Sequence, residues 1–261
     1  MTAQASTRAS FEARFLTAKP VLAMLHLKGE DEQDRLSRAR TEIDVLLDAG
    51  VDALVVENYF GTVTDVENAL AHLQGNHPDA VYGVNVLDDD AAGFALAERY
   101  GASFVQLDSV AGHLAPEDDG PFEERLRQWR ASTSALVLGG VRFKYQPVLS
   151  GNSLATDLKI ARSRCDAVVV TGEGTGQETD PQKISEFRRL LGPDFPIVVG
   201  AGVTVDNAAE QLALADAAIV GSYLKDSYTD QGDVAAEHVR ALMAAVDSVR
   251  RGAPEPSGDR R

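Results

Sequence analysis

The sequence predicts an α/β protein, a closed (β/α)8 TIM barrel, on three observations. Short β-branched runs alternate with longer amphipathic stretches from end to end, the mark of βα units and a parallel sheet. The runs are nearly continuous in apolar residues, as strands covered on both faces require. The chain has 261 residues, close to the roughly 250 of one such barrel.

The first strand is expected from Pro20 (PVLAMLH), followed by a helix over 31–48. In that helix Leu36, Ala39, Ile43, Leu46 and Leu47 share one side, and Gly50 stops it. The second strand starts near Asp52 (DALVVEN) before a helix over 64–73, and the third near Val81 (VYGVNVL) before 90–100. The fourth starts near Ser103 (SFVQLDS) before 121–131, and the fifth near Val141 (VRFKYQP) before 153–162. The sixth starts near Asp166 (DAVVVTG) before 181–191, the seventh near Pro196 (PIVVGAG) before 205–214, and the eighth near Ala217 (AAIVGS) before 234–250. Asp, Ser, Thr or Pro opens several of the helices, residues suited to a cap or first turn.

Helix–Gly/Ala–x–Asp/Ser junctions recur at Gly50–Asp52 and Gly101–Ser103, with a similar step at Ala215–Ala217, a weak repeat of one βα unit. No linker divides the middle, so residues 11–251 are expected to form a single barrel domain. Residues 1–10 and 252–261 are read as disordered tails, being too small and polar to bury a core face. The alternative, a doubly wound open sheet, calls for a glycine fingerprint after the first strand, and Leu25–Gly29 carries none.

The formal net charge of −15 repels nucleic acid and anionic lipid, so neither is an expected partner, and any anionic ligand must be held locally. No apolar run reaches the roughly 18 residues of a membrane span, and the N-terminus lacks a signal-peptide core. The single cysteine, Cys165, fits a reducing compartment, and a cytoplasmic location is expected. Self-association into a homo-oligomer stays open, with no interface signal in the sequence.

In a barrel the loops after the strands build the site. The polar residues at those ends are His26, Glu57, Asn58, Asn85, Asp108, Ser109, Lys144, Tyr145, Thr171 and Glu173. Polar groups gathered at one end of otherwise apolar strands are costly unless paired or used. Glu57 and Lys144 are the sharpest pair, a base and an acid if both face the mouth. The plainer reading is an ion pair bracing the rim. Asp108 is a second acid–base candidate, against a role in bonding loop amides. Asn85 suits the orientation of a hydroxyl or carbonyl, and His26 is the sole histidine on a strand end. His-x-x-x-His spacing is absent, which argues against zinc, whereas a divalent ion loosely held by Glu57 and Asp108 stays open.

Glycines supply the second signal. Gly172 and Gly174 follow the sixth strand, Gly200 and Gly202 the seventh, and Gly221 with Ser222 the eighth. Glycine lets backbone amides approach an anion, and the loops after strands seven and eight are the usual phosphate site of barrels. The plainer reading is that any αβ protein needs tight turns there. The loop over 172–179 has the composition of a lid. Neither a Gly-x-x-x-x-Gly-Lys-Ser/Thr loop nor a Gly-x-Ser-x-Gly elbow is present.

At these same residues the chain resembles the BtpA family, which includes SgcQ-like proteins. The matching text runs through Lys19–Leu27, Val55–Tyr59, Gly83–Leu87, Asp166–Gly176, Val199–Thr204 and Ala218–Lys225. The resemblance implies a barrel of the phosphate-binding type. The family name comes from a factor needed for photosystem I accumulation, and other members sit in non-photosynthetic bacterial settings. The chain departs from the family's pattern at Lys28-Gly29-Glu30-Asp31, where a proline-rich segment is usual, and near Asp108, where Asn is usual. It also has Phe143-Lys144-Tyr145 for a Val-Lys-His run.

The leading expectation is an enzyme of isomerase, aldolase or lyase type acting on a phosphorylated sugar or similar metabolite. A nucleoside- or nucleotide-directed hydrolase or transferase is the second reading, with Tyr59, Phe60, Tyr145 and Tyr223 as a shelf for a base. A non-catalytic assembly factor is the third, favoured by a mouth too filled to admit ligand.

Overall fold

The computed structural model describes residues 7–252. Eight parallel strands close into a barrel in chain order: β1 (Val21–His26), β2 (Ala53–Glu57), β3 (Tyr82–Asn85), β4 (Phe104–Ala111), β5 (Leu136–Val141), β6 (Ala167–Val170), β7 (Ile197–Val199) and β8 (Ala217–Val220). A short helix α1 (Thr7–Glu12) precedes the barrel. The strands are followed in turn by α2 (Glu32–Asp48), α3 (Val63–Asn76), α4 (Asp90–Tyr100), α5 (Pro116–Ser132), α6 (Leu154–Arg164), α7 (Pro181–Leu191), α8 (Ala208–Leu214) and α9 (Ala236–Gly252). Caps agree with the sequence at several starts. Asp31 accepts from the Asp34 amide at α2, and Thr62 and Asp65 form a reciprocal capping box at α3.

Three expectations need correction. Residues 7–10, read as part of a disordered tail, form the first turns of α1, while 1–6 and 253–261 lie outside the described residues. Gly252, read as the start of the other tail, ends α9. The fifth strand is Leu136–Val141, not the segment beginning at Val141, which is the loop after it. Gly139 and Gly140 both lie inside the strand, where neighbours approach too closely for a side chain. A Cβ on Gly140 would stand 2.0 Å from the Asp108 carbonyl oxygen, and one on Gly139 would stand 2.6 Å from Val110. The close approach accompanies a register shift in β4 between Leu107 and Ala111.

The alternation of strand side chains creates two apolar layers. One set, including Leu25, Val56, Val105 and Val168, packs against the helices. The other, including Leu22, Val55, Phe104, Leu138, Val169 and Ile219, fills the barrel interior. From α1 and the turn after it, Phe11 and Phe15 join the interior set, with Phe15 6.1 Å from Phe104 between ring centroids. Gly83 makes room for the Phe104 ring, since a Cβ there would stand 2.1 Å from it. The N-terminal end of the barrel is thus plugged with aromatic side chains. No helix among the described residues is long and apolar enough to cross a membrane.

Candidate active site at the C-terminal mouth

The phase of the interior layer decides what ends each strand. Met24 is an interior residue, so His26 is the next to point inward, and Val55 likewise leads to Glu57. Register then places His26 beside Glu57 and Glu57 beside Asn85. Above the apolar filling His26 and Glu57 bound a cavity of about 640 Å³, lined also by Gln106, Asp108, Lys144, Thr175, Gly202 and Ser222. Asn85 stands behind this wall and lines a neighbouring depression with Asp108.

Asn85 is buried and donates through Nδ2 to Glu57 Oε1 at 2.8 Å and to Asp108 Oδ1 at 3.4 Å. One amide thus holds two carboxyl groups on a common wall. Burial, then the nearby Asp108 charge, raises the Glu57 pKa to about 8, against the pull of Lys144 and the Asn85 bond. Burial also raises Asp108 above the usual carboxylate range. His26 Nε2 lies 3.6 Å from Glu57 Oε2. Burial first, then the positive charges of Lys225 and Lys144, lowers the His26 pKa to about 4, against an opposing pull from Asp230. At neutral pH both members of this pair are therefore uncharged, and the contact is not an ion pair.

Lys144 lies on the loop after β5, not on a strand. The Thr171 hydroxyl accepts from its backbone N–H at 2.9 Å, and its ammonium reaches Thr175 Oγ1 at 3.5 Å. Lys144 is close enough to both Glu57 and Asp108 to favour their charged forms.

Of the expected anion cradle, Gly200, Gly202, Gly221 and Ser222 line the cavity, across the barrel from β2, β3 and β4. The Gly200 N–H is already committed to the Val170 carbonyl at 2.7 Å. Gly172 and Gly174 are not among the lining residues. A Cβ on Gly172 would meet the Glu178 carbonyl at 2.6 Å, and one on Gly174 would meet Gln177 and Tyr145, so both serve the packing of their own loop. Gly176 of that loop does line the cavity, and Gly202, at φ +68°, lies against the Gln177 backbone. The loop over 172–179 thus packs onto the β7 end.

The remaining strand-end residues serve other ends. Asn58 Oδ1 accepts from the Leu87 amide at 2.7 Å, and Thr171 positions Lys144. Glu173 lines a separate depression with Lys183. Gln106 and Asp230 did not emerge from the sequence reading. Gln106 is legible in hindsight, two residues before Asp108 in an alternating strand. Asp230 accepts from the Tyr59 hydroxyl at 2.9 Å, a contact across 171 positions that no local pattern encodes.

Among the described residues no group of three or more His, Cys, Asp or Glu side chains is arranged to hold a metal. The Glu57–Asp108 pair fits a cation poorly, because the Asn85 amide already faces both carboxyls. Cys165 is buried, its thiol pushed up to about 12 by burial.

The model of the BtpA family matches residues 17–248. The Synechocystis photosystem I biogenesis protein BtpA is 27% identical over 236 residues, covering 81% of this chain and 82% of its own. The putative sgc region protein SgcQ of Escherichia coli is 26% identical over 262 residues, covering 90% of this chain and 97% of its own. Other relatives, at 27–29% identity, come from archaea, so the likeness is not confined to bacteria. Among solved structures, the (S)-3-O-geranylgeranylglyceryl phosphate synthase of Thermoplasma acidophilum aligns with a TM-score of 0.62 at 12% identity, covering 94% of this chain and 100% of its own. At that identity the likeness is one of fold.

Proposed function

The chain belongs to the BtpA family, and we propose that it is an enzyme acting on a phosphorylated sugar or related small metabolite by proton-transfer chemistry of the isomerase, aldolase or lyase type. The observation that carries this reading is the opposition of two walls in one cavity. Glu57 and Asp108, bridged by the Asn85 amide, form one, and the glycine-bearing ends of β7 and β8 form the other. A phosphate held by Gly202, Gly221 and Ser222 would direct the rest of the substrate toward the carboxyl groups. Binding energy gained far from the reacting carbon then fixes its geometry.

Each polar group has a role in this reading. Glu57 is protonated at neutral pH and serves as the acid that donates to a substrate carbonyl oxygen. Asp108 takes the proton from the adjacent carbon, so that an enediol forms. Lys144 stabilises the negative charge that develops on the oxygen. Return of the Asp108 proton to the former carbonyl carbon, while the other enediol hydroxyl gives its proton back to Glu57, yields an isomer. In the lyase variant Asp108 takes the proton of the β-hydroxyl instead, the bond between the α and β carbons breaks, and an aldehyde leaves as Glu57 protonates the oxygen of the enediol that remains. His26, being neutral, and Asn85 orient hydroxyls and the Glu57 carboxyl. An assembly role alone would suit a filled mouth better than a cavity of about 640 Å³.

The test is a panel of sugar phosphates in deuterated water, read by thermal stability and by NMR of the carbon-bound protons. The expected result is stabilisation by at least one compound and exchange of the proton next to its carbonyl. Absence of both across the panel would end this reading.

A further inference from the structure

Three exposed aromatic side chains surround the mouth on three different loops. They are Phe60 between β2 and α3, Tyr145 between β5 and α6, and Tyr228 between β8 and α9, exposed by 41%, 75% and 55%. Each has a left-handed backbone, with φ of +68°, +64° and +56° respectively. For a bulky residue that conformation is strained and uncommon outside functional sites. Glycine or asparagine would remove most of the cost at each position. Nor does core packing account for the rings, because exposure is what they share. Backbone strain and apolar exposure thus coincide at three sites around one opening.

The cavity beneath has the same character. The chain has six tyrosines, and Tyr59, Tyr145, Tyr223 and Tyr228 line the cavity. Tyr228 is stacked on His238 at 4.3 Å and 13°, which fixes the plane of its ring. Below Tyr59 and Phe60, at centroid distances of 5.0 and 6.2 Å, lies the buried His26, whose Nδ1 has no hydrogen-bond partner. Gln106 Oε1, also buried and cavity-lining, has none either. A cavity of about 640 Å³ falls within the roughly 300–1,000 Å³ that buries a drug-sized ligand, more than a three-carbon phosphate fills.

We infer that the ligand of this site carries a planar aromatic or heteroaromatic ring besides its phosphate, and that Phe60, Tyr145 and Tyr228 form a collar that stacks on it. The inference rests on the phosphate reading above for the other end of the molecule, and it names the class of substrate. Rings of the collar offer flat, preorganised contact, and a planar base presents a π-face that stacks on an aromatic side chain. The unpartnered His26 and Gln106 atoms favour a ring with polar edge atoms over a hydrocarbon one.

Calorimetric titration with four probes tests this: glycerol phosphate, phenyl phosphate, adenosine monophosphate and adenosine. At least one ring-bearing phosphate is expected to bind tenfold or more tightly than glycerol phosphate. Tyr145→Gly and Tyr228→Asn are expected to erase that preference while leaving the affinity for glycerol phosphate within twofold. Both variants should stay folded, because relief of backbone strain offsets the loss of the Tyr228–His238 stack and of the bond that the Tyr145 hydroxyl accepts from the Thr175 amide at 2.9 Å, whereas rings placed for packing alone would unfold the protein when removed. Equal affinities for glycerol phosphate and both ring-bearing phosphates would overturn the ring and leave the phosphate reading standing. Binding of adenosine as tightly as adenosine monophosphate would uphold the ring and overturn the phosphate reading. No binding by any of the four would overturn both.

Discussion

Asn85 and Glu57 meet across the β2–β3 seam at 2.8 Å, both buried, with the amide donating to the carboxyl. The register pairs them directly, so the bond is set by strand closure and not by a flexible loop. It fixes the direction of a carboxyl whose pKa burial has raised to about 8.

That raised value makes Glu57 a proton donor at neutral pH. Turnover should fall as pH rises through about 8, as Glu57 ionises. Glu57→Gln should lower kcat by about 10²–10⁴-fold, the usual worth of a positioned acid or base. A Glu57→Gln enzyme with parental kcat would remove Glu57 from the chemistry.

The same group should leave a signature in stability. Its folded value of about 8 lies above its ordinary 4.5, so the folded protein holds a proton that the unfolded chain releases between them. Stability conferred by this group is thus fully present below 4.5 and is lost as pH rises toward 8. His26, lowered from 6.5 to about 4, acts oppositely, and stability rises with pH across its window. Above 6.5 the His26 effect is complete and no longer opposes that of Glu57. From there to about 8, the parent should lose stability relative to Glu57→Gln, by at most about 1.4 kcal/mol per pH unit. Chemical denaturation at several pH values measures it, and a pH-independent difference between the two proteins would contradict it.

Asn85→Ala removes a bond that favours the charged Glu57 and leaves a buried carboxyl oxygen without a donor. The cost is about 1–3 kcal/mol of stability. The alkaline limb of the pH–rate profile should move above its parental position, since the Asn85 bond holds the Glu57 pKa down. A limb that stays put would show that Asn85 does not tune Glu57.

Two glycines of the β7 and β8 ends should respond differently. A Cβ on Gly202 would stand 2.3 Å from the Gln177 backbone, at a φ of +68°, so Gly202→Ala should displace the loop over 172–179 and lower the melting temperature. On Gly221 the nearest atoms a Cβ would meet belong to Met24 and His26, at 3.4–3.6 Å, an ordinary contact distance. Gly221→Ala should therefore fold like the parent and weaken phosphate binding by placing a methyl at the cavity wall. Equal affinity in parent and Gly221→Ala would move the anion elsewhere.

Gly140 links the barrel wall to the site. A methyl there would collide with the Asp108 carbonyl, 2.0 Å from the ideal Cβ position. Gly140→Ala should shift Asp108 off the Asn85 amide and cost both stability and turnover. Full activity in a stably folded Gly140→Ala protein would detach Asp108 from the reaction.

Seven of the eight strands are legible in the sequence because each is a compact β-branched run between polar turns. The fifth is not, because Leu136-Val137-Leu138-Gly139-Gly140 owes its glycines to neighbours that local pattern cannot see: Val110, Cys165 and the Asp108 carbonyl. The carboxylate wall is legible because alternation along β1, β2 and β3 carries His26, Glu57 and Asn85 into the interior. Lys144 is found as a residue but assigned to the wrong element, and Gly172 and Gly174 share the glycine signal without sharing the cavity. The Tyr59–Asp230 contact and the strained collar depend on loop conformations, which composition does not encode.

The most direct test of the central claim is a crystal structure of the protein soaked with inorganic phosphate. The expected result is an anion between Gly202, Gly221 and Ser222, across the cavity from Glu57 and Asp108. An anion bound instead against Lys144 on the carboxyl wall, or an empty β7–β8 end at saturating phosphate, would contradict it.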